Sequence, residues 1–200
     1  MTAKSRFALS ALTASALLAA AGGVAAAPTP TAMSATPIVN TNITVAEVVQ
    51  AQRAWGNALV QISRDFEAGG LQRARATAEA VLDAAYGYNM GPVLFKPTLT
   101  VAPQTFRTTR EGALAYFVGG NSAFPADTGF ALKGWRDVEV SNAAIFINGD
   151  QATTMGNVTL TDKNGQRTTV DKTWSFVKDD RGALRIVLHH SSLPFQVAAR

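Results

Sequence analysis

The chain has 200 residues, 47% of them hydrophobic and 16% charged, a formal net charge of +4, no cysteine and two histidines. The missing cysteine excludes disulfides, thiol chemistry and cysteine-ligated metal centres. The basic excess is mild and spread along the chain, which gives no case for nucleic acid or a membrane surface as partner.

Lys4 and Arg6 precede the apolar run Phe7 to Ala20 and the small-residue stretch Gly22 to Ala27. A basic start, a short apolar run and small residues form the pattern of a secretory signal peptide, expected over 1–26. The run is short and alanine-rich for a span of about 20 residues, so a membrane anchor is the weaker reading. Cleavage would remove two of the 18 basic residues and none of the 14 acidic ones, leaving +2. It would deliver a periplasmic or secreted protein with no membrane contact afterwards. Residues 27–43 read APTPTAMSATPIVNTNI, without hydrophobic period, and are expected as a flexible tether to a single domain over 44–198.

Thr44-Val45-Ala46-Glu47 has the form of a capping box. Val45, Val48, Trp55, Leu59, Ile62 and Phe66 then recur at helical spacings, one apolar stripe on a helix that Gly69-Gly70 stops. The alanine-rich stretch from Leu71 to Tyr86 predicts a second helix, with Ala74, Ala78, Val81 and Leu82 on one side and Gly87 at its end. Val93 to Val101 reads as a strand closed by Pro103. Thr109 or Arg110 to Val118 reads as a short helix stopped by Gly119-Gly120.

From Leu132 onward the pattern is β. Val138, Val140, Ala144, Phe146 and Ile147 lead to the hairpin pair Asn148-Gly149. Asn164-Gly165 and Asp179-Asp180-Arg181-Gly182 mark two further turns, and Leu184, Ile186 and Leu188 lead into the last segment. These elements predict an α+β domain: N-terminal helices packed on one face of a strongly curved antiparallel β-sheet, a cone with an apolar cavity suited to a small uncharged ligand.

Both histidines fall in "LHHSSLPF", residues 188–195. On a strand, successive side chains point to opposite faces, so His189 shares a face with Ser191 and His190 with Ser192. Two histidines on opposite faces cannot reach one ion, and well-formed zinc sites need three or four convergent ligands. Ligand counting therefore points to no metal; a mixed site of one histidine with carboxylates or water is the alternative, for zinc or manganese. No G-x-S-x-G elbow supports a serine nucleophile.

"YGYNMGPVLFKPTLT" (86–100), "AYFVGG" (115–120) and "HHSSLPF" (189–195) together resemble the iota class of carbonic anhydrases. The resemblance covers the domain from Trp55 to Phe195. It implies a cone-shaped fold of the nuclear transport factor superfamily, related to the association domain of calcium/calmodulin-dependent kinases. It also implies hydration of carbon dioxide to bicarbonate by a homodimer. Carried over by motif, the catalytic residues are Thr98, Tyr116, His189 and Ser191. Phe95, Leu114, Trp174 and His190 are expected around the substrate. The rival readings are a non-catalytic dimerisation or small-ligand binding module, and an isomerase or hydrolase whose base would have to be Asp65 or Asp137.

Overall fold

The computed structural model describes residues 39–196. The expected signal peptide and most of the tether lie outside the described residues, as do 197–200. The end of the tether is already tied to the domain. Ile43 is buried and its N–H donates to Gly149 O, while Lys178 Nζ donates to the carbonyls of Asn40 and Asn42.

Helix α1 (Val45–Ala85) begins at the expected capping box: Thr44 Oγ1 accepts from Glu47 N, and Glu47 Oε2 accepts from Thr44 N. Gly70, at φ 68 and ψ −165, breaks the helical path, so α1 is two helical arms joined at the predicted glycine stop. Val48, Trp55, Leu59 and Ile62 of the first arm and Ala74, Ala78 and Leu82 of the second are buried, while the outer stripe members Val45 and Leu71 are exposed. Gln52 lies on the same stripe; its amide exchanges hydrogen bonds with Asn142 and donates to Thr154 Oγ1.

Strand β1 (Leu94–Lys96) is shorter than the expected 93–101, because Pro97 offers no N–H to the ladder and the chain turns away. Helix α2 (Arg110–Val118) is capped by Thr109 and closed at Gly119, as its sequence predicts. Strands β2 (Trp135–Asn148), β3 (Gln151–Asp162), β4 (Arg167–Lys178) and β5 (Leu184–Ser192) follow, with turns at the three predicted places. The sheet order is β1-β5-β4-β3-β2. Four strands pair antiparallel as expected, but β1 joins β5 in parallel, so the five-stranded sheet is mixed and open.

The face of β2 changes phase partway along. Val138 and Val140 point inward, and an irregularity between Asn142 and Ala144 then turns Ile145 and Ile147 inward and leaves Phe146 exposed. An extra residue reverses a two-residue alternation and bends the strand. Gly156 faces this irregularity so closely that a Cβ there would lie 2.1 Å from Ser141 O and 2.8 Å from Asn142 Cα. Backbone atoms cannot swing aside as a side-chain tip does. Gly156→Ala should therefore lower the urea-unfolding free energy by about 1–3 kcal/mol, the usual range for overpacking.

Candidate active site

β5 places its side chains by simple alternation. His189 and Ser191 are buried on the inner face, and His190 is exposed on the other. Two neighbours complete the inner face. Across β4, Lys172 lies opposite Ser191 and Trp174 opposite His189; across β1, Phe95 lies opposite His189. Directly after β1 the chain turns at buried Pro97, and Thr98 Oγ1 donates to Ser191 Oγ at 2.7 Å. The loop that follows is held by Arg107, whose N–H donates to Phe95 O and whose buried guanidinium forks onto Asp127 at 2.7 and 2.8 Å.

The end of α1 brings in Tyr86. Arg185 donates to the free carbonyls of Asp83 and Ala84, and Gly87 N donates to Ile186 O, so the helix terminus is pinned to β5. Tyr86 Oη then lies 2.8 Å from His189 Nδ1 and accepts from Trp55 Nε1 at 3.0 Å. On the other side of the ring, His189 Nε2 lies 2.6 Å from Lys172 Nζ. Both ring nitrogens thus have protein partners. Phe95 stacks on the imidazole with centroids 4.3 Å apart, and Trp55 meets it edge-on at 5.4 Å.

This cage sets the charges. Burial pushes the His189 pKa well below 6.5, and the charges of Lys172 and His190 act in the same direction. Burial also pushes Lys172 down to about 7. Tyr116, on α2, faces the backbone N–H groups of Leu99 and Thr98, which favour its ionised form, but burial outweighs them and keeps it a protonated hydroxyl donor.

Phe95, Thr98, Tyr116, Lys172, His189 and Ser191 line one cavity between the sheet and the helices. Its space open to the centre of a water-sized sphere is about 10 Å³, close to what one water needs. Trp55 lines this cavity and also a second, apolar one of about 260 Å³ with Ala51, Ala54, Ala58, Phe176 and Ile186.

Three expected substrate-side residues fall outside the small cavity. His190 is on the opposite face of its strand, Leu114 is buried on α2 away from the cavity lining, and Trp174 lies with its ring centroid 5.9 Å from that of His189. Asp65 is bonded to Thr77, Arg73 and Gln61 away from the cavity, and Asp137 is exposed. Sequence reasoning missed Tyr86 and Lys172. The signal for Lys172 was present: Val170, Trp174 and Phe176 fix the inward phase of β4, and Lys172 stands in that phase. Among the described residues, no group of three or more histidine, aspartate or glutamate side chains is arranged to hold an ion.

The model of the family "Metal-independent carbonic anhydrase" matches residues 46–193. The metal-independent carbonic anhydrase of Nostoc sp. (strain PCC 7120 / SAG 25.82 / UTEX 2576) is 64% identical over 168 residues, which is 84% of this chain and 82% of that one. A crystal structure of the iota-carbonic anhydrase from a cyanobacterium, complexed with bicarbonate, superposes with a TM-score of 0.79 at 65% identity, covering 81% of this chain and 99% of that one. A calcium/calmodulin dependent protein kinase II association domain from Xanthomonas campestris matches at 23% identity with a TM-score of 0.49, over 80% of this chain and 95% of that one.

The depressed pKa of His189 has a consequence for stability. At a pH just below the unfolded-state value, about 6.5, the unfolded chain binds a proton that the native ring refuses. The unfolded state therefore gains and stability falls as the pH drops through that value. His189→Phe removes the group, so its unfolding free energy should change less than that of the wild type between about pH 6.5 and pH 5.

Proposed function

The chain belongs to the metal-independent carbonic anhydrases, and on that premise we propose that carbon dioxide is hydrated in the small cavity by hydroxyl groups and a buried histidine. Thr98 and Ser191 hold the attacking water, Tyr116 donates to the oxygen that gains charge, and His189 belongs to the group that takes the proton. The single observation that carries this reading is the Thr98–Ser191 hydroxyl pair at 2.7 Å inside a cavity the size of one water.

Magnitudes shape the mechanism. A zinc ion lowers the pKa of its bound water to about 7, worth about 12 kcal/mol. A neutral hydrogen bond contributes about 0.5–1.5 kcal/mol net, so three hydroxyls cannot sustain a standing hydroxide. The proton must leave the water as its oxygen bonds to carbon, which is general-base catalysis, typically worth about 10²–10⁴-fold. As the C–O bond forms, one electron pair of carbon dioxide moves onto the oxygen facing Tyr116, and the product is bicarbonate. Fixing the water beside the gas adds a proximity term. The larger apolar cavity supports this reading, since it can collect a gas and shares Trp55 in its lining with the site. The outer-face position of His190 argues against a direct role for it in the pocket.

The reading extends to two further properties. The N-terminal pattern supports work outside the cytoplasm. The outward Phe146 and Met155, neighbours on the outer face of β2 and β3, support a homodimer built on that face.

Stopped-flow carbon dioxide hydration by chelator-stripped protein, with residual metal counted per subunit, tests the site. Activity should persist at negligible metal, and Thr98→Ala and Ser191→Ala should each lower kcat by about 10²-fold or more. Full rates in both variants would move the reaction elsewhere.

A further inference from the structure

Lys172 is buried beside a histidine with no ion-pair partner among the described residues. Its place is specific. It lies directly opposite Ser191 across β4 and β5, on the inner face, and lines the same small cavity.

Hydrogen-bond accounting fixes its resting state. Tyr86 Oη already accepts from Trp55 Nε1, so its own hydrogen needs an acceptor, and the one in reach is His189 Nδ1 at 2.8 Å. A neutral imidazole that accepts at Nδ1 carries its hydrogen on Nε2. That hydrogen points at Lys172 Nζ, 2.6 Å away, which must offer a lone pair and is therefore an uncharged amine. Burial acts in the same direction and brings its pKa to about 7. The charged or titratable groups around it are His189 and His190 on β5, Lys96 on β1, Tyr86 at the end of α1 and Tyr116 on α2. Asp171, next to it in sequence, points outward and bonds Asn157. When the amine does gain a proton, the faces of Trp55 and Trp174, at 4.8 and 5.1 Å, are placed to receive the cation.

The hydroxyl pair has a direction. Thr98 donates to Ser191, and Lys172 lines the same cavity from the strand across. His189 has no free nitrogen to offer. We propose that the neutral amine of Lys172, held against His189, is the acceptor of the proton that leaves the attacking water. The cavity water loses a proton to Nζ as its oxygen bonds to carbon, and the products are bicarbonate and the Lys172 ammonium ion. The ammonium ion then faces the Nε2–H of His189, donor against donor. That crowding favours release of the proton to solvent and resets the site.

This inference rests on the reading of the cavity as the hydration site, and the experiment separates the two. Protein labelled with [13Cε]lysine is titrated by NMR, with the Lys172 resonance assigned by its loss in Lys172→Met, and kcat for hydration is measured across the same pH range. One lysine should titrate near pH 7, and the wild-type kcat should rise through the same step. Lys172→Met should lose about 10²-fold or more in kcat together with that step. Lys172→Arg, which keeps a long basic side chain but cannot shed its charge at working pH, should be equally slow and serves in place of Lys172→Met should that variant fail to fold. A Lys172 that titrates above pH 9, or a Lys172→Arg variant within threefold of the wild-type rate, overturns the assignment. If Thr98→Ala and Ser191→Ala lose activity while both Lys172 variants keep it, only the lysine assignment falls. If Thr98→Ala and Ser191→Ala keep full rates, the site reading falls and the lysine assignment with it.

Discussion

The hydrogen bond from Tyr86 to His189 joins the end of the long helix to the last strand, and the rest of the site is arranged around that join. It needs Arg185 on the helix-end carbonyls, Gly87 against Ile186, and the indole of Trp55 on the tyrosine oxygen. Once the imidazole is held, its second nitrogen meets Lys172, and its strand neighbour Ser191 is turned to Thr98. The polar atoms are few and each is bonded to another. A buried polar atom left without a partner costs about 1–3 kcal/mol, so a chain of mutual partners is the economical way to bury them. Trp174 Nε1 is the one buried side-chain nitrogen or oxygen without a partner among the described residues.

The aromatic shell shapes the chemistry as much as the polar atoms do. Phe95, Trp55, Tyr86 and Trp174 surround one imidazole and keep water from solvating a charge on it. In such a place a base is held uncharged, ready to accept, and the cation it becomes is short of solvation. The cation–π faces temper that penalty without removing it.

Much of the fold was legible because the local signals agree with the global arrangement. The capping box at Thr44, the glycine break at Gly70 and the three hairpin turns lie where local chemistry puts them. The inward phase of His189 and Ser191 followed from alternation alone. What alternation could not carry was the irregularity at Asn142 to Ala144, where one extra residue sends Phe146 outward, and the parallel pairing of β1, which depends on a crossover rather than on local residues. Of the site, the motif segments carried Thr98, Tyr116, His189 and Ser191 into one cavity. Lys172 and Tyr86 were not legible in the same way, since a lysine on a strand reads as surface and a tyrosine at a helix end as core. Their meeting on His189 is a property of three elements at once.

The separation of these partners along the chain bears on how the protein acquires its activity. Tyr86 and His189 are 103 residues apart, and Thr98 and Ser191 are 93 apart. The β2–β4 meander, by contrast, closes through short hairpin turns. Loop-closure entropy makes such distant pairs slow to form relative to local ones, and their contacts reward the chain only after that entropy is spent. A chain whose meander has formed but whose last strand has not docked would have most of its sheet and neither the Tyr86–His189 nor the Thr98–Ser191 contact. Turnover is then a reporter of the final docking event, and regained activity should lag regained sheet signal during refolding.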